Sequence, residues 1–228
     1  MGRGLSAAPG GQLRPHECGL AAAGAWESEV QSCEKMAETY GKHVELLAPY
    51  ADLFLCETMS SAREARAAAR AAQASGRMVY VSWTCRDWPE PDGTVRLRSG
   101  ETLEEAWDAL SGLRVDAVLL NCCWPESIDA ACKQMAALQV PWGGYANGFS
   151  GIPEGWTLQD GLQALGERHD LTPQKYTEHV QKWLDAGASV VGGCCNIGPR
   201  HIAHLARHMG KAAMLQPEED LAYAAQTE

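Results

Sequence analysis

Short runs of apolar, often β-branched residues alternate along the chain with longer stretches in which apolar positions recur every three or four residues. The short runs predict strands at ADLFLCE (51–57), RMVYVSWT (77–84), VDAVLLNC (115–122), VPWGGYAN (140–147) and ASVVGGCC (188–195). The longer stretches predict helices over 28–47, 60–74, 101–113, 126–138, 172–186 and 198–209. Strand and helix in alternation imply parallel strands joined by helical crossovers. The strands read as near-continuous apolar runs, which suits a sheet covered by helices.

An open doubly wound sheet and a closed (β/α)8 barrel both answer to this pattern. No strand is followed by a G-x-G-x-x-G phosphate fingerprint, which lowers the case for a dinucleotide fold. The unusual residues Glu57, Trp83, Cys122, Asn147, Cys194 and Cys195 all fall at strand ends, where a barrel gathers its reactive groups. The expected fold is therefore α/β of the TIM-barrel type. Its strand count falls short of eight, with five clear runs and at most one more, in GGQLRP of the leader 1–26. The expectation is an incomplete barrel with its first two or three strands missing. Its domain spans 27–212, behind a poorly patterned leader 1–26 and ahead of an acidic tail 213–228. Unpaired parallel edges invite partner capture, and a second copy of the chain, giving a homo-oligomer, is one such partner.

Charge narrows the partners. Nineteen Lys and Arg against 29 Asp and Glu leave a net −10, with no basic run, so nucleic acid and anionic membranes are poor partners. No apolar stretch approaches the length of a membrane span, and no apolar segment lies between Arg3 and Arg14 to make a secretory signal. A cytoplasmic protein is expected. Nine cysteines in that compartment should be mostly reduced, and an odd number argues against a disulfide framework.

Cysteine placement then becomes the candidate chemistry. LLNCCWP and VVGGCCNIGP each put two adjacent thiols where an apolar run stops. Strands ending in Cys122 and in Cys194-Cys195 can bring three sulfurs together, a set that suits Zn²⁺ with one position left open. Gly192 and Gly193 are expected to let the backbone turn so that both following cysteines face the metal. Adjacent cysteines are equally a way to fill a buried corner with small side chains, and spacing alone leaves both readings standing. Cys33 and Cys132 sit within helical patterns and read as small buried hydrophobes. His201, His204 and His208, beside Arg200 and Arg207, read as a solvated helix face rather than as partners of a nucleophilic cysteine.

Three segments resemble one family. GGCCNIGPRHI is similar to the GGCC-x-x-x-P-x-H-I signature of the zinc-dependent homocysteine S-methyltransferases, which are built on a (β/α)8 barrel. LLNCCWPESI resembles that family's strand ending in Asn-Cys, and DLFLCETMSSAREARAA its strand ending in Glu-Thr with an alanine-rich helix behind it. The resemblance runs from about Leu46 to Met209. It implies Cys122, Cys194 and Cys195 as zinc ligands, with Cys123 an additional thiol. Glu57 is implied as the carboxylate that holds the amino-acid substrate. GGYANGF is similar to a segment after a later strand and implies a substrate contact for Asn147. The implied reaction moves a methyl group from a small donor to the thiol of homocysteine, giving methionine. S-methylmethionine, S-adenosylmethionine, betaine and a methylated folate are the family's donors.

Trp83, Trp88, Trp124, Tyr145, Phe149 and Trp156 are expected in loops above the site, where aromatic faces attract a cationic donor or seal the pocket mouth. CRDWPEPDGTVRLRSGE (85–101) has the length of a lid. The family's N-terminal Asp-Gly-Gly segment has no counterpart here, so a non-catalytic zinc-binding remnant, or interaction protein, on a truncated barrel is the alternative reading. A methyltransferase with another thiol or a selenol acceptor is a third.

Overall fold

The computed structural model describes residues 11–13, 33–151 and 165–211. Expectations for the rest of the leader, for 28–32, for Cys18 and Trp156, for the Cys33 side chain and for the tail lie outside these residues.

Among the described residues six strands form one parallel sheet: β1 (Gly11–Leu13), β2 (Leu53–Met59), β3 (Met78–Trp83), β4 (Ala117–Asn121), β5 (Trp142–Tyr145) and β6 (Val190–Val191). Their spatial order is their chain order. A doubly wound sheet must reverse its strand order at a switch point. This sheet does not, so its winding is that of a barrel. The GGQLRP segment does supply a strand, which pairs with β2 from Gly11↔Phe54 to Leu13↔Cys56.

The helices are α1 (Cys33–Leu47), α2 (Ala62–Gln73), α3 (Leu103–Asp108), α4 (Pro125–Ala137), α5 (Pro173–Asp185) and α6 (Pro199–His208). Their starts are written locally. Ser61 Oγ accepts from Glu64 N at the head of α2, and Thr102 and Glu105 form a reciprocal capping box on α3. Proline opens α4, α5 and α6, where its missing N–H costs nothing. α3 is shorter than the pattern 101–113 suggested. Beyond Asp108 the bonds tighten to i→i+3, from Leu110 to Trp107 and from Ser111 to Asp108, before Gly112 turns the chain at φ 79°.

The two faces of the sheet differ. Phe54, Cys56, Val79, Val81, Val118 and Leu120 pack under the helices with no exposure. In the alternate phase, Leu55 pairs with Tyr80, Ser82 with Leu119, Leu119 with Gly143 and Asn121 with Tyr145. On this inner wall Leu53, Leu55, Met78 and Tyr80 are partly exposed, whereas Glu57, Ser82, Asn121 and Tyr145 toward the C-terminal ends of β2 to β5 are buried. Gly143 admits no side chain, because a Cβ there would lie 1.8 Å from the Val190 carbonyl oxygen. The absence of a Cβ lets β6 approach β5. Among the described residues no helix is long and apolar enough to cross a membrane.

Candidate metal centre

The two cysteine pairs end β4 and lead out of β6, with β5 between them. The segment after β5 stitches them together. Asn147 N–H donates to the Cys123 carbonyl at 3.0 Å, Gly148 N–H to the Cys195 carbonyl at 2.8 Å, and Cys194 N–H to the Ala146 carbonyl at 2.9 Å. Tyr176, from α5, braces the same junction, since its hydroxyl accepts from Ala146 N–H at 3.1 Å and donates to the Gly192 carbonyl at 2.7 Å.

Cys122, Cys194 and Cys195 converge so that their sulfurs all lie within 4.8 Å of one another. Cys194 Sγ and Cys195 Sγ are 3.9 Å apart, and neither is in a disulfide. Tetrahedral zinc with Zn–S bonds of ~2.3 Å places its sulfurs ~3.8 Å apart. The spacing of the set therefore fits a thiolate-bound zinc ion. Contacts with Cys194 and Cys195, together with burial, push the Cys122 thiol well above its usual value. Cys194 is drawn down by Cys122, but Cys195 and burial outweigh that and raise it. Crowded thiols resist becoming thiolates beside one another, and a divalent cation supplies the charge that relieves them.

Cys123 takes no part. Its side chain joins the core beneath the helices and lies against Cys85, whose thiol is pushed well up by that contact and by burial. The direction of the neighbouring Cys122 follows from its backbone, which adopts φ 52°, uncommon for a residue other than glycine. Arg98 and Thr84 hold that conformation through the Cys122 carbonyl, donating to it at 3.1 and 3.2 Å. Arg98 belongs to the 85–101 insert, which is packed rather than poised as a free lid: Cys85, Val95 and Leu97 are wholly buried.

Gly192 and Gly193 act differently from expectation. Neither has positive φ; the left-handed residue is Asn196, at 60°. Gly193 is needed for room, as a Cβ there would meet Ile197 Cγ2 at 2.3 Å. The histidines depart too. His201 Nε2 lies 2.9 Å from the Leu171 carbonyl oxygen and His204 Nδ1 3.0 Å from Thr177 Oγ1, so both pack toward α5, and His208 alone of the three is exposed.

Glu57 and Asn147 reach the same region. Glu57 is 7% exposed near the end of β2, close to Tyr145. Asn147 is 1% exposed. Its Oδ1 accepts from Phe149 N–H at 3.2 Å, which turns Nδ2 toward Cys122 Sγ at 3.9 Å.

Asn121 is a further polar group, identified in the sequence only as a motif letter. Its Oδ1 accepts from Thr58 N–H at 3.1 Å and Ser82 Oγ at 2.7 Å. A backbone N–H can only donate, so the amide is pinned, and its Nδ2 donates to Thr58 Oγ1 at 2.7 Å and reaches Cys194 Sγ at 3.9 Å. One wholly buried side chain thus ties the ends of β2, β3 and β4 to the thiol cluster. An asparagine closing an otherwise apolar run was the available signal.

The aromatic residues do not form one wall. Trp83 is wholly buried in the core under the helices, and Phe149 is buried against Leu165. Trp88 is 60% exposed and stands edge-on to Trp124, whose ring already carries the Arg168 guanidinium at 4.9 Å.

A sequence model described as homocysteine S-methyltransferase matches residues 10–209. The chain belongs to the homocysteine S-methyltransferase family. It is 29% identical over 163 residues to the homocysteine S-methyltransferase of Escherichia coli (strain K12), covering 70% of this chain and 48% of that protein. Against homocysteine S-methyltransferase 3 of Arabidopsis thaliana it is 29% identical over 185 residues, covering 77% and 49% respectively. The chain thus spans about half the length of these relatives. In fold it is similar to the apo form of the homocysteine methyltransferase MmuM from Escherichia coli, with a TM-score of 0.62 and 24% identity. That match covers 86% of this chain and 60% of the other. The winding expected from the sequence is therefore the winding found.

Proposed function

We propose that this site binds zinc through Cys122, Cys194 and Cys195 and methylates the thiol of homocysteine, giving methionine. The observation that carries the reading is the convergence of three cysteine sulfurs within 4.8 Å where β4 and β6 end. Zinc held there supplies the Lewis acidity that removes the proton from a substrate thiol at neutral pH.

The chain's own residues do the positioning. Buried Glu57 receives the substrate ammonium, and its burial strengthens that pairing relative to water. Asn147 meets the substrate's polar end, while its bond to Phe149 N–H keeps the amide from turning. The ends of β2 to β5 beside the cluster are buried, whereas Cys194 and Cys195 are half-buried and accessible to a substrate. In the transfer, the thiolate sulfur attacks the methyl carbon while the bond from that carbon to the donor's heteroatom breaks. The electron pair leaves with the donor, so no general base takes part. Holding the reacting atoms in line is worth several kcal/mol, on the order of 7–11 at best.

A cationic small-molecule donor fits the reading, since it departs as a neutral molecule. Among the described residues, Trp88 offers an exposed aromatic face, while Trp124 is engaged by Arg168. The test is the zinc content of the purified chain and zinc X-ray absorption with and without homocysteine. Three sulfurs rising to four supports the reading. A chain that holds no metal, or whose zinc environment ignores homocysteine, refutes it.

A further inference from the structure

α5 and α6 pack against each other, and one kind of contact recurs between them a helical turn apart. Thr177 meets His204, and four residues further along both helices Gln181 meets His208. Each contact fixes which ring nitrogen carries the proton. Thr177 Oγ1 gives its one hydrogen to the Pro173 carbonyl at 2.8 Å, so it accepts from His204 Nδ1–H at 3.0 Å. Gln181 Nε2 donates to the Asp185 carboxylate at 2.7 Å, which turns Oε1 toward His208, and His208 Nε2–H donates to it at 2.8 Å. In the neutral rings the lone pairs are therefore left on His204 Nε2 and His208 Nδ1. Among the described residues neither of these nitrogens has a hydrogen-bond partner.

Both histidines line one groove of about 340 Å³, together with Gln174, Thr177, Glu178 and Gln181. Histidines four residues apart on a helix are neighbours on one face and can share a metal ion. A metal-ligating histidine typically donates its other N–H to an oxygen that fixes the ring, and both rings here are held that way. Glu178 Oε2 pairs with Lys175 at 2.8 Å on the exposed surface, a contact weak enough to be exchanged for a cation.

We propose that His204 and His208 bind a divalent transition-metal ion, with Glu178 turning in from α5 as a third ligand. Two imidazoles and a carboxylate, with water in the remaining positions, suit zinc, nickel or copper(II) rather than calcium or magnesium. The site shares no residue with the thiol cluster and does not rest on the zinc-thiol reading. It clamps α5, whose Tyr176 bonds to the Gly192 carbonyl, to α6, the helix that follows Cys194 and Cys195.

The test titrates nickel(II) by calorimetry into the full chain, incubated with zinc and dialysed beforehand. Nickel on sulfur shows thiolate charge-transfer absorption and nickel on imidazole does not, so the spectrum separates the two sites whether or not the cysteines hold zinc. The native chain takes up one nickel without that absorption, and its melting midpoint rises by about 5–10 °C at a hundredfold excess over Kd. His204→Gln and His208→Gln each abolish this uptake and the rise in melting. Thr177→Val keeps both ligands but removes the oxygen that fixes one ring, and weakens nickel roughly 10–100-fold. His169→Gln, at an exposed position before α5, leaves the uptake unchanged. A native chain that takes up no nickel outside the cysteines overturns the inference. So does uptake that survives in both histidine variants, or that falls as far in His169→Gln. Any of these results would leave the two rings with the structural role of joining α5 to α6.

Discussion

The chain contains two adjacent cysteine pairs, and the fold uses them differently. Cys194 and Cys195 both turn to the cluster, whereas Cys122 joins it and Cys123 enters the core against Cys85. The first pair follows two glycines, one of which lies where a Cβ would strike Ile197. The second has no such freedom, and a left-handed Cys122 sends the neighbouring sulfurs to opposite sides of the sheet. Identical dipeptides beyond the C-terminal ends of two strands therefore carry different numbers of ligands. The backbone around a pair sets how many sulfurs it presents.

The widest separation is expected from the pairs themselves. Cys195→Ala should lose bound zinc, measured by elemental analysis after dialysis, and Cys123→Ala should keep one zinc per chain. Zinc loss in Cys123→Ala would mean that the wrong sulfur of that pair has been assigned. Gly193→Ala comes next, since forcing a Cβ against Ile197 is overpacking that costs about 1–3 kcal/mol in chemical denaturation. It should also weaken zinc by displacing Cys194 and Cys195. Asn121→Ala leaves all three sulfurs in place but removes the amide that reaches Cys194. Zinc affinity, by competition with a chromophoric chelator, should fall roughly 10–100-fold.

Cys123→Ala sharpens the contrast at smaller scale, with a stability cost of about 1 kcal/mol from the sulfur lost to the core. Glu64, on α2, tests a charge away from both pairs. Burial raises its carboxyl above 4.5, against the pull of its bonds to Ser60 and Tyr40. The folded state thus holds that proton more tightly than the unfolded chain, and the stability it contributes below pH 4.5 is lost as pH rises through the folded value. Thermal melts of Glu64→Gln should therefore gain most over the native chain at neutral pH and converge with it in acid.

Much of the scaffold is legible in the sequence because it is local. Every strand and helix run has an element at its centre, and the caps at Ser61, Thr102 and Thr172 stand where the pattern starts. The three ligand cysteines are legible as residues that end apolar runs. The weak strand β1 was harder to read, since Gly11–Leu13 has little pattern of its own and is defined by pairing with β2. Trp83 was misread because a strand's last residue belongs to one face or the other, and phase decides which.

The sequence by itself determined the order of elements, the parallel winding and which residue types stand at the strand ends, since propensity, capping and hydrophobic period act over a few residues. Tertiary structure decided which way each side chain faces there. It turned Cys123 from its neighbour and set the Asn121 amide. These outcomes depend on the register of strands far apart in the chain and on single backbone angles. A one-dimensional pattern of polar and apolar positions encodes neither.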